Sequence, residues 1–383
     1  MQPVAVTILM PCLNEAETLA ICIRKAHAAI NRSGLVGEVL IADNGSTDGS
    51  QEIARAELAR IVHVSIRGYG AAIAAGIEAA EGKYILMADA DDSYDFDHLT
   101  RFLDALDRGS DLVIGNRFQG GVLKNAMPSL HRYLGNPVLS FVGRLFFRVP
   151  VGDFHCGIRA FRRDAIRSLD LRTTGMEFAS EMVVKSGLRN LKISEVPTTL
   201  RPDGRTRAPH LRTWHDGWRH LRFLLMYSPR WLFFYPGLFL TLIGFGFSAW
   251  LLPEERNIGT LSLDVDTLTY SLGVLLMGVQ IMVFAVSAKL FGTRQGFLPK
   301  NPSFERAVQA VPLETGLLSG SALLLVGVGM GAYAVVQWHA TGFGPLTATR
   351  MLRITLPSVA ALLLGVEVIF ASFFLSLLQM EQK

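Results

Sequence analysis

Short apolar runs alternate with helical patterns through the first half of the chain. The run at 4–10 ends at Pro11-Cys12-Leu13-Asn14-Glu15, and a helical pattern starts at Ala16. The run at 38–42 ends at Asp43-Asn44-Gly45-Ser46-Thr47-Asp48-Gly49, and a second helical pattern follows. The run at 61–66 ends at Arg67-Gly68-Tyr69-Gly70 and leads into an Ala-rich helix over 71–80. The run at 83–88 ends at Asp89-Ala90-Asp91-Asp92. Apolar strands alternating with helices predict a parallel sheet covered on both faces. Ligands of such sheets bind beyond the carboxyl ends of the strands. All these polar turns fall at those ends, so they converge on one crevice. Residues 111–117 read as a further strand that delivers Arg117 to the same place.

The second half is of a different character. Stretches 231–253, 267–288 and 315–349 carry no Asp, Glu, Lys or Arg, and 354–378 carries only Glu367. Each is long enough to cross a hydrocarbon core of roughly 30 Å. Four transmembrane helices are predicted near 232–252, 268–288, 316–338 and 355–378. Basic residues set the orientation. Arg205, Arg207, Arg212, Arg219, Arg222 and Arg230 precede the first span, and loop 289–315 carries Lys289, Arg294, Lys300 and Arg306. Loop 254–266 holds only Arg256 against Glu254, Glu255, Asp264 and Asp266. The first half and both termini are therefore expected in the cytoplasm. Residues 211–227 read as a helix with Trp214, Trp218, Leu221 and Leu225 on one face, the look of a helix in the headgroup layer. Packing on the soluble half is the alternative. The expected domains are 1–207, an amphipathic segment 208–230 and a membrane domain 231–383.

Composition adds little to this division. The 50% hydrophobic content averages a soluble half and a membrane half. Three scattered cysteines, Cys12, Cys22 and Cys156, suit a reducing compartment and exclude a disulfide framework. The run at 1–10 lacks the basic start of a secretory signal. The net charge of +4 is small, and no nucleic-acid partner is expected.

Chemistry concentrates at Asp89, Asp91 and Asp92. Acids this close call for a cation, and a hard divalent ion with oxygen ligands, Mg²⁺ or Mn²⁺, fits best. The bland alternative is an acidic turn that caps a helix. A dinucleotide-binding fingerprint fails, because Gly68-x-Gly70-x-x-Ile73 lacks the third glycine.

Pro11-x-x-Asn14-Glu15, Asp43-Asn44-Gly45-Ser46-x-Asp48, the glycine segment 68–76 and Asp89-Ala90-Asp91, in this order, resemble the motifs of family 2 glycosyltransferases. The resemblance implies an α/β GT-A fold, Rossmann-like with a mostly parallel sheet, followed here by interfacial helices and an all-α domain of four membrane helices. It places Pro11, Asn14, Glu15, Asp43, Ser46 and Gly70 in the nucleotide-sugar pocket. Asp89 lies near the sugar or ribose, and Asp91, with Asp92, on the metal. Gly115-x-Arg117, then Arg132 and Asn136, are similar to the acceptor-phosphate site of polyprenyl-phosphate (dolichol-phosphate) glycosyltransferases, which usually have Ser where Asn136 stands. Residues 153–161 resemble the loop that closes the acceptor side, and Gly175-Met176-Glu177 the start of its next helix. Arg205 and Arg207 stand in the family's mobile loop and would contact the donor diphosphate.

The implied reaction is inverting transfer of one sugar to a polyprenyl phosphate, with Asp89, Asp91 and Arg117 central. The expected donor is UDP-glucose, with GDP-mannose next. A phosphate acceptor needs positioning and no general base; Glu177 is the runner-up if one is required. Homo-oligomers are common among such enzymes. Two other classes stay open. A processive synthase would carry Gln-x-x-Arg-Trp, but Tyr227 stands where Gln belongs before Arg230-Trp231. A non-enzymatic scaffold or transport protein is the third.

Overall fold

The computed structural model describes residues 3–206, 213–345 and 348–380. Arg207 and residues 208–212 of the expected amphipathic segment lie outside the described residues. The chain forms two compact units, Met1–Leu224 and Leu225–Lys383.

The first unit opens with the predicted alternation: β1 (Val6–Cys12), α1 (Leu19–Ser33), β2 (Gly37–Asp43), α2 (Ser50–Ala56), β3 (Arg60–His63), α3 (Tyr69–Ala79) and β4 (Tyr84–Met87). It continues with α4 (Leu99–Asp107), β5 (Leu112–Asn116), the single turn α5 (Arg117–Gly120) and α6 (Asn136–Phe147). After these come β6 (Arg159–Arg162), α7 (Arg163–Arg167), α8 (Phe178–Leu188), β7 (Ile193–Pro197) and α9 (Thr213–Met226).

The seven-stranded sheet runs in the order β3-β2-β1-β4-β6-β5-β7. It is mostly parallel, as expected, but β6 runs antiparallel to both β4 and β5. Residues 153–161, expected as loop, end in this strand. Val6, Ile8, Leu9 and Met10 of β1 are fully buried, as are Ile85, Leu86 and Met87 of β4. Each such side chain stabilises the fold by about 1.5–3 kcal/mol. Register aligns the polar turns. Cys12 is paired with Asp43, Asp43 with His63, and Leu9 with Met87. The turns after β1, β2 and β4 therefore leave one edge of the sheet side by side.

The second unit holds α10 (Tyr235–Leu251), a hairpin of β8 (Arg256–Ile258) and β9 (Leu261–Leu263), α11 (Val265–Arg294), α12 (Pro302–Gln309), α13 (Leu313–Ala340) and α14 (Ala348–Gln379). Among the described residues, four helices are long and apolar enough to cross a membrane: Arg230–Leu251, Val265–Arg294, Leu313–His339 and Thr349–Gln379. The loop between the first two spans carries the short hairpin. The fourth helix starts before residue 355 and includes Arg353. Asp264 accepts from its Nη2 at 2.5 Å, so an arginine at that helix end is neutralised.

Candidate active site

The turn after β4 carries the acids, and its backbone is held from several sides. Thr18 Oγ1 donates to Ala90 C=O at 2.7 Å, and Gly204 N–H to Asp91 C=O at 2.9 Å. Asp92 adopts φ +61°, a left-handed conformation that a non-glycine residue keeps only when its surroundings impose it.

The three carboxylates have different partners. Asp91 Oδ1 accepts from Ser93 N–H at 3.1 Å and from Ser93 Oγ at 2.5 Å. Its Oδ2 accepts from Arg205 Nη2 at 2.8 Å. Arg205 Nη1 reaches Glu15 Oε1 at 3.1 Å, and Nη2 also reaches Asp203 at 3.0 Å. One guanidinium thus sits among Glu15, Asp91 and Asp203 and neutralises them within the chain, and among the described residues no group of three or more His, Cys, Asp or Glu side chains is gathered as a metal site. Asp89 Oδ1 accepts from Tyr69 Oη at 3.0 Å. Burial and then the charge of Asp91 push the Asp89 carboxyl up to about 7, while the charges of Arg205 and Arg117 pull the other way. Asp92 turns to α1, where Lys25 Nζ donates to it at 2.6 Å.

Beside the acids lies the turn after β2. Asp43 is buried and accepts from Gln51 Nε2 at 2.7 Å and from Gly45 and Ser46 N–H. Asn14 donates its N–H to Ser46 Oγ at 2.9 Å and accepts from Thr47 N–H at 2.8 Å. Asn14 and Ser46 therefore lock two turns together, and Pro11 stands at the end of β1 in register with Ala42. Gly70 has a packing role. A Cβ there would lie 2.6 Å from Thr173 C=O, and at Gly68, with φ +137°, one would lie 2.1 Å from Thr174 C=O. The glycines let α3 start against the segment before α8.

Arg117 begins the turn after β5 and is almost fully buried. Its Nε and Nη2 both bond the buried Asp153 carboxylate at 2.7 Å, and its own N–H bonds it at 3.1 Å. One edge of the guanidinium, Nε and Nη2, is thus committed to Asp153, and Nη1 lies outside this fork. Glu195 Oε1 anchors the same segment through Gly152 N–H and Asp153 N–H. The segment borders the acids, since a Cβ on Gly157 would lie 2.4 Å from Asp89 Oδ2. Arg132 lies in a widened turn before α6, where Asn136 N–H bonds His131 C=O, five residues back. The guanidinium lies over the Tyr133 ring at 5.5 Å, and Asn136 Nδ2 points to Met127 Sδ at 3.5 Å.

Comparison with known proteins decides the family. Residues 7–170 match the model of glycosyl transferase family 2, and residues 286–379 match the glycosyltransferase family 2 C-terminal transmembrane region. The chain is 35% identical over 371 residues to the low-salt glycan biosynthesis hexosyltransferase Agl6 of Haloferax volcanii, covering 96% of this chain and 88% of that protein. The chain belongs to glycosyltransferase family 2. Further relatives of this glycosyltransferase include a dolichyl-phosphate hexose transferase of Haloferax volcanii, 33% identical over 43% of this chain and 70% of that one. A polyprenol monophosphomannose synthase of Mycolicibacterium smegmatis is 31% identical over 50% and 76%. With its four membrane-capable helices and the matched transmembrane region, the enzyme is an integral membrane protein.

Several features of the glycosyltransferase site escape sequence reasoning. Tyr69, Ser93 and Lys25 contact the acids and Asp203 holds Arg205, and only Ser93 carries a local signal, two residues after an Asp that can accept from it. Leu130, Tyr133, Leu134, Val138, Phe141 and Leu145 are exposed and recur at helical spacing on the segment that carries Arg132 and Asn136. Helix α9 packs one face on the first unit and leaves another exposed. Asp216, His220 and Leu224 are buried, Arg219 pairs with Glu177 at 2.8 Å, and His220 Nδ1 meets Ser180 Oγ at 2.9 Å. Trp214 and Trp218 stay exposed. Glu177 thus anchors this helix.

Proposed function

We propose that this glycosyltransferase moves a single hexose from a nucleotide diphosphate sugar to the phosphate of a polyprenyl phosphate at the cytoplasmic membrane face, inverting the anomeric centre. The observation that carries the reading is a juxtaposition. A set of acids gathered around the Arg205 guanidinium borders an arginine-bearing wall, and the segment with Arg132 and Asn136 exposes an apolar stripe. Acids suit the metal diphosphate of a donor. Arginines suit a phosphate. An exposed apolar stripe suits a lipid or its bilayer. The relatives' names support the same acceptor class.

In this reading Asp43, Asn14 and Ser46, with Pro11 and Glu15, shape the nucleotide pocket. Arg205, together with Arg207, is the pair that would reach the donor diphosphate. Arg205 would exchange its acids for that anion, because a guanidinium bonds phosphate oxygens as readily as carboxylates. Asp91 is the residue that would hold Mg²⁺ or Mn²⁺, and that ion supplies the positive charge that stabilises the departing nucleoside diphosphate. Asp92, committed to Lys25, would support the turn and join the ion only after releasing that pair. Asp89 and Tyr69 would face the sugar. Arg117 Nη1, Arg132 and Asn136 would hold the acceptor phosphate. That phosphate is mostly dianionic at pH 7 and needs no base. One of its oxygens bonds the anomeric carbon as the bond to the diphosphate breaks, and the electron pair leaves with the diphosphate. UDP-glucose is the proposed donor, and the mannose-transferring relative makes GDP-mannose the second to try. Lipid-extractable product from one donor, lost in Asp91→Asn, is the expected result; equal product from Asp91→Asn would remove the acids from the reaction.

A further inference from the structure

His155 sits in the segment that joins the acids to Arg117. Its neighbours fix the backbone on each side. Phe154 N–H donates to Ser140 Oγ at 3.1 Å, and Gly157 N–H to Tyr94 Oη at 2.9 Å. Arg159 Nε and Nη2 bond the Cys156 and Phe154 carbonyls at 2.9 and 2.8 Å. The imidazole is therefore held in a rigid frame. Both of its ring nitrogens are sealed from solvent and have no hydrogen-bond partner among the described residues. Leaving a buried polar atom unpaired costs about 1–3 kcal/mol, so an orphan on a rigid segment asks for a ligand.

The surroundings say which ligand. The charged or titratable groups whose fields act on the ring are His220, Arg159, Arg117 and His131. The His220 ring stands 4.5 Å away, centroid to centroid. All of these groups are cationic or can become so, which repels a metal ion and suits an anion. A neutral imidazole still carries one N–H donor. Arg117 has its Nε–Nη2 edge on Asp153, so it brings fewer donors to a phosphate than a free arginine does.

We propose that His155 is a further phosphate-binding residue, donating a hydrogen bond to the phosphomonoester of the acceptor from the side of the segment 153–157. This rests on the acceptor reading given above. Burial and then the neighbouring cations hold the His155 imidazole well below its ordinary value in the free protein. A phosphate dianion reverses the sign of the local charge, so the ring takes up a proton as the acceptor binds.

The test uses the full chain in detergent, titrated calorimetrically with a short-chain polyprenyl phosphate and with inorganic phosphate. His155→Phe is expected to weaken lipid-phosphate binding by about 10- to 100-fold, the loss of a hydrogen bond to a charged group. Donor KM should stay within about twofold, and His155→Gln, which keeps a donor, should recover part of the loss. Proton uptake on binding, read from buffers of different ionisation enthalpy, should vanish in both variants. The melting temperature of His155→Phe should not fall, because an unpaired polar group is removed. A structural role predicts the opposite: a lower melting temperature with acceptor and donor affected together. Unchanged lipid-phosphate binding in His155→Phe overturns this proposal alone and leaves the acceptor reading standing. Wild-type protein that binds neither phosphate overturns both. Equal affinity for inorganic and lipid phosphate, lost together in the variant, overturns the lipid headgroup as the source of the anion.

Discussion

Arg117→Ala is predicted to unfold part of the first unit before it reports on catalysis. Arg117 and Asp153 form a forked pair at 2.7 Å, with side-chain exposures of 9% and 0%. Deleting the arginine leaves a buried carboxylate without its counter-charge, which costs about 3–5 kcal/mol. A domain of this size has only about 5–15 kcal/mol in total. At about 2–4 °C per kcal/mol, the melting temperature should drop by about 6–20 °C. Removing both partners in Arg117→Met with Asp153→Leu should cost far less, since apolar replacements of a buried pair are often neutral. The assay is thermal unfolding in detergent by intrinsic fluorescence, followed by sugar transfer at a temperature where every variant is folded. The pair should regain stability without regaining transfer, which separates the phosphate role of Arg117 from its role in the fold. A melting temperature for Arg117→Ala within about 2 °C of wild type, or costs that simply add in the pair, would refute the reasoning.

Asp91→Asn should lower transfer by about 10³-fold or more, because the site loses the carboxylate assigned to the cation; kcat/KM measured across a metal titration checks this. His220 is held down to about 4 from 6.5, chiefly by burial, so the unfolded chain binds more protons in that window. Its contribution of about 3 kcal/mol is present above pH 6.5 and lost as pH falls toward 4, and His220→Phe should flatten the melting curve over that range. Gly68→Ala should cost about 3 kcal/mol, combining an unfavourable φ with a clash on Thr174 C=O, and chemical denaturation reads it.

The parallel core was legible because its strands are buried on both faces and read as unbroken apolar runs. The spans were legible because lipid admits only long apolar helices. Strand β6 was not, since only four residues pair and two of them, Arg159 and Arg162, are arginines. Arg159 is fully buried, its guanidinium bonded to the carbonyls of Phe154, Cys156 and Ala179, and no pattern marks an arginine as a core residue. The Arg117–Asp153 fork joins residues 36 apart in the chain, and the hold of Arg205 on Asp91 spans 114. Motifs show which residue types gather at a site; which of them already have partners is a tertiary fact. For the same reason Asp92 read as a metal residue, while the fold gives it Lys25.

The most direct test of the central claim is radiolabelled sugar transfer to polyprenyl phosphate in purified membranes, from a panel of nucleotide sugars, with Mg²⁺ or with EDTA. One organic-extractable single-sugar product, formed from one donor and abolished by EDTA, is the predicted result. A long polymer, or no product from any donor with the protein folded, would contradict it.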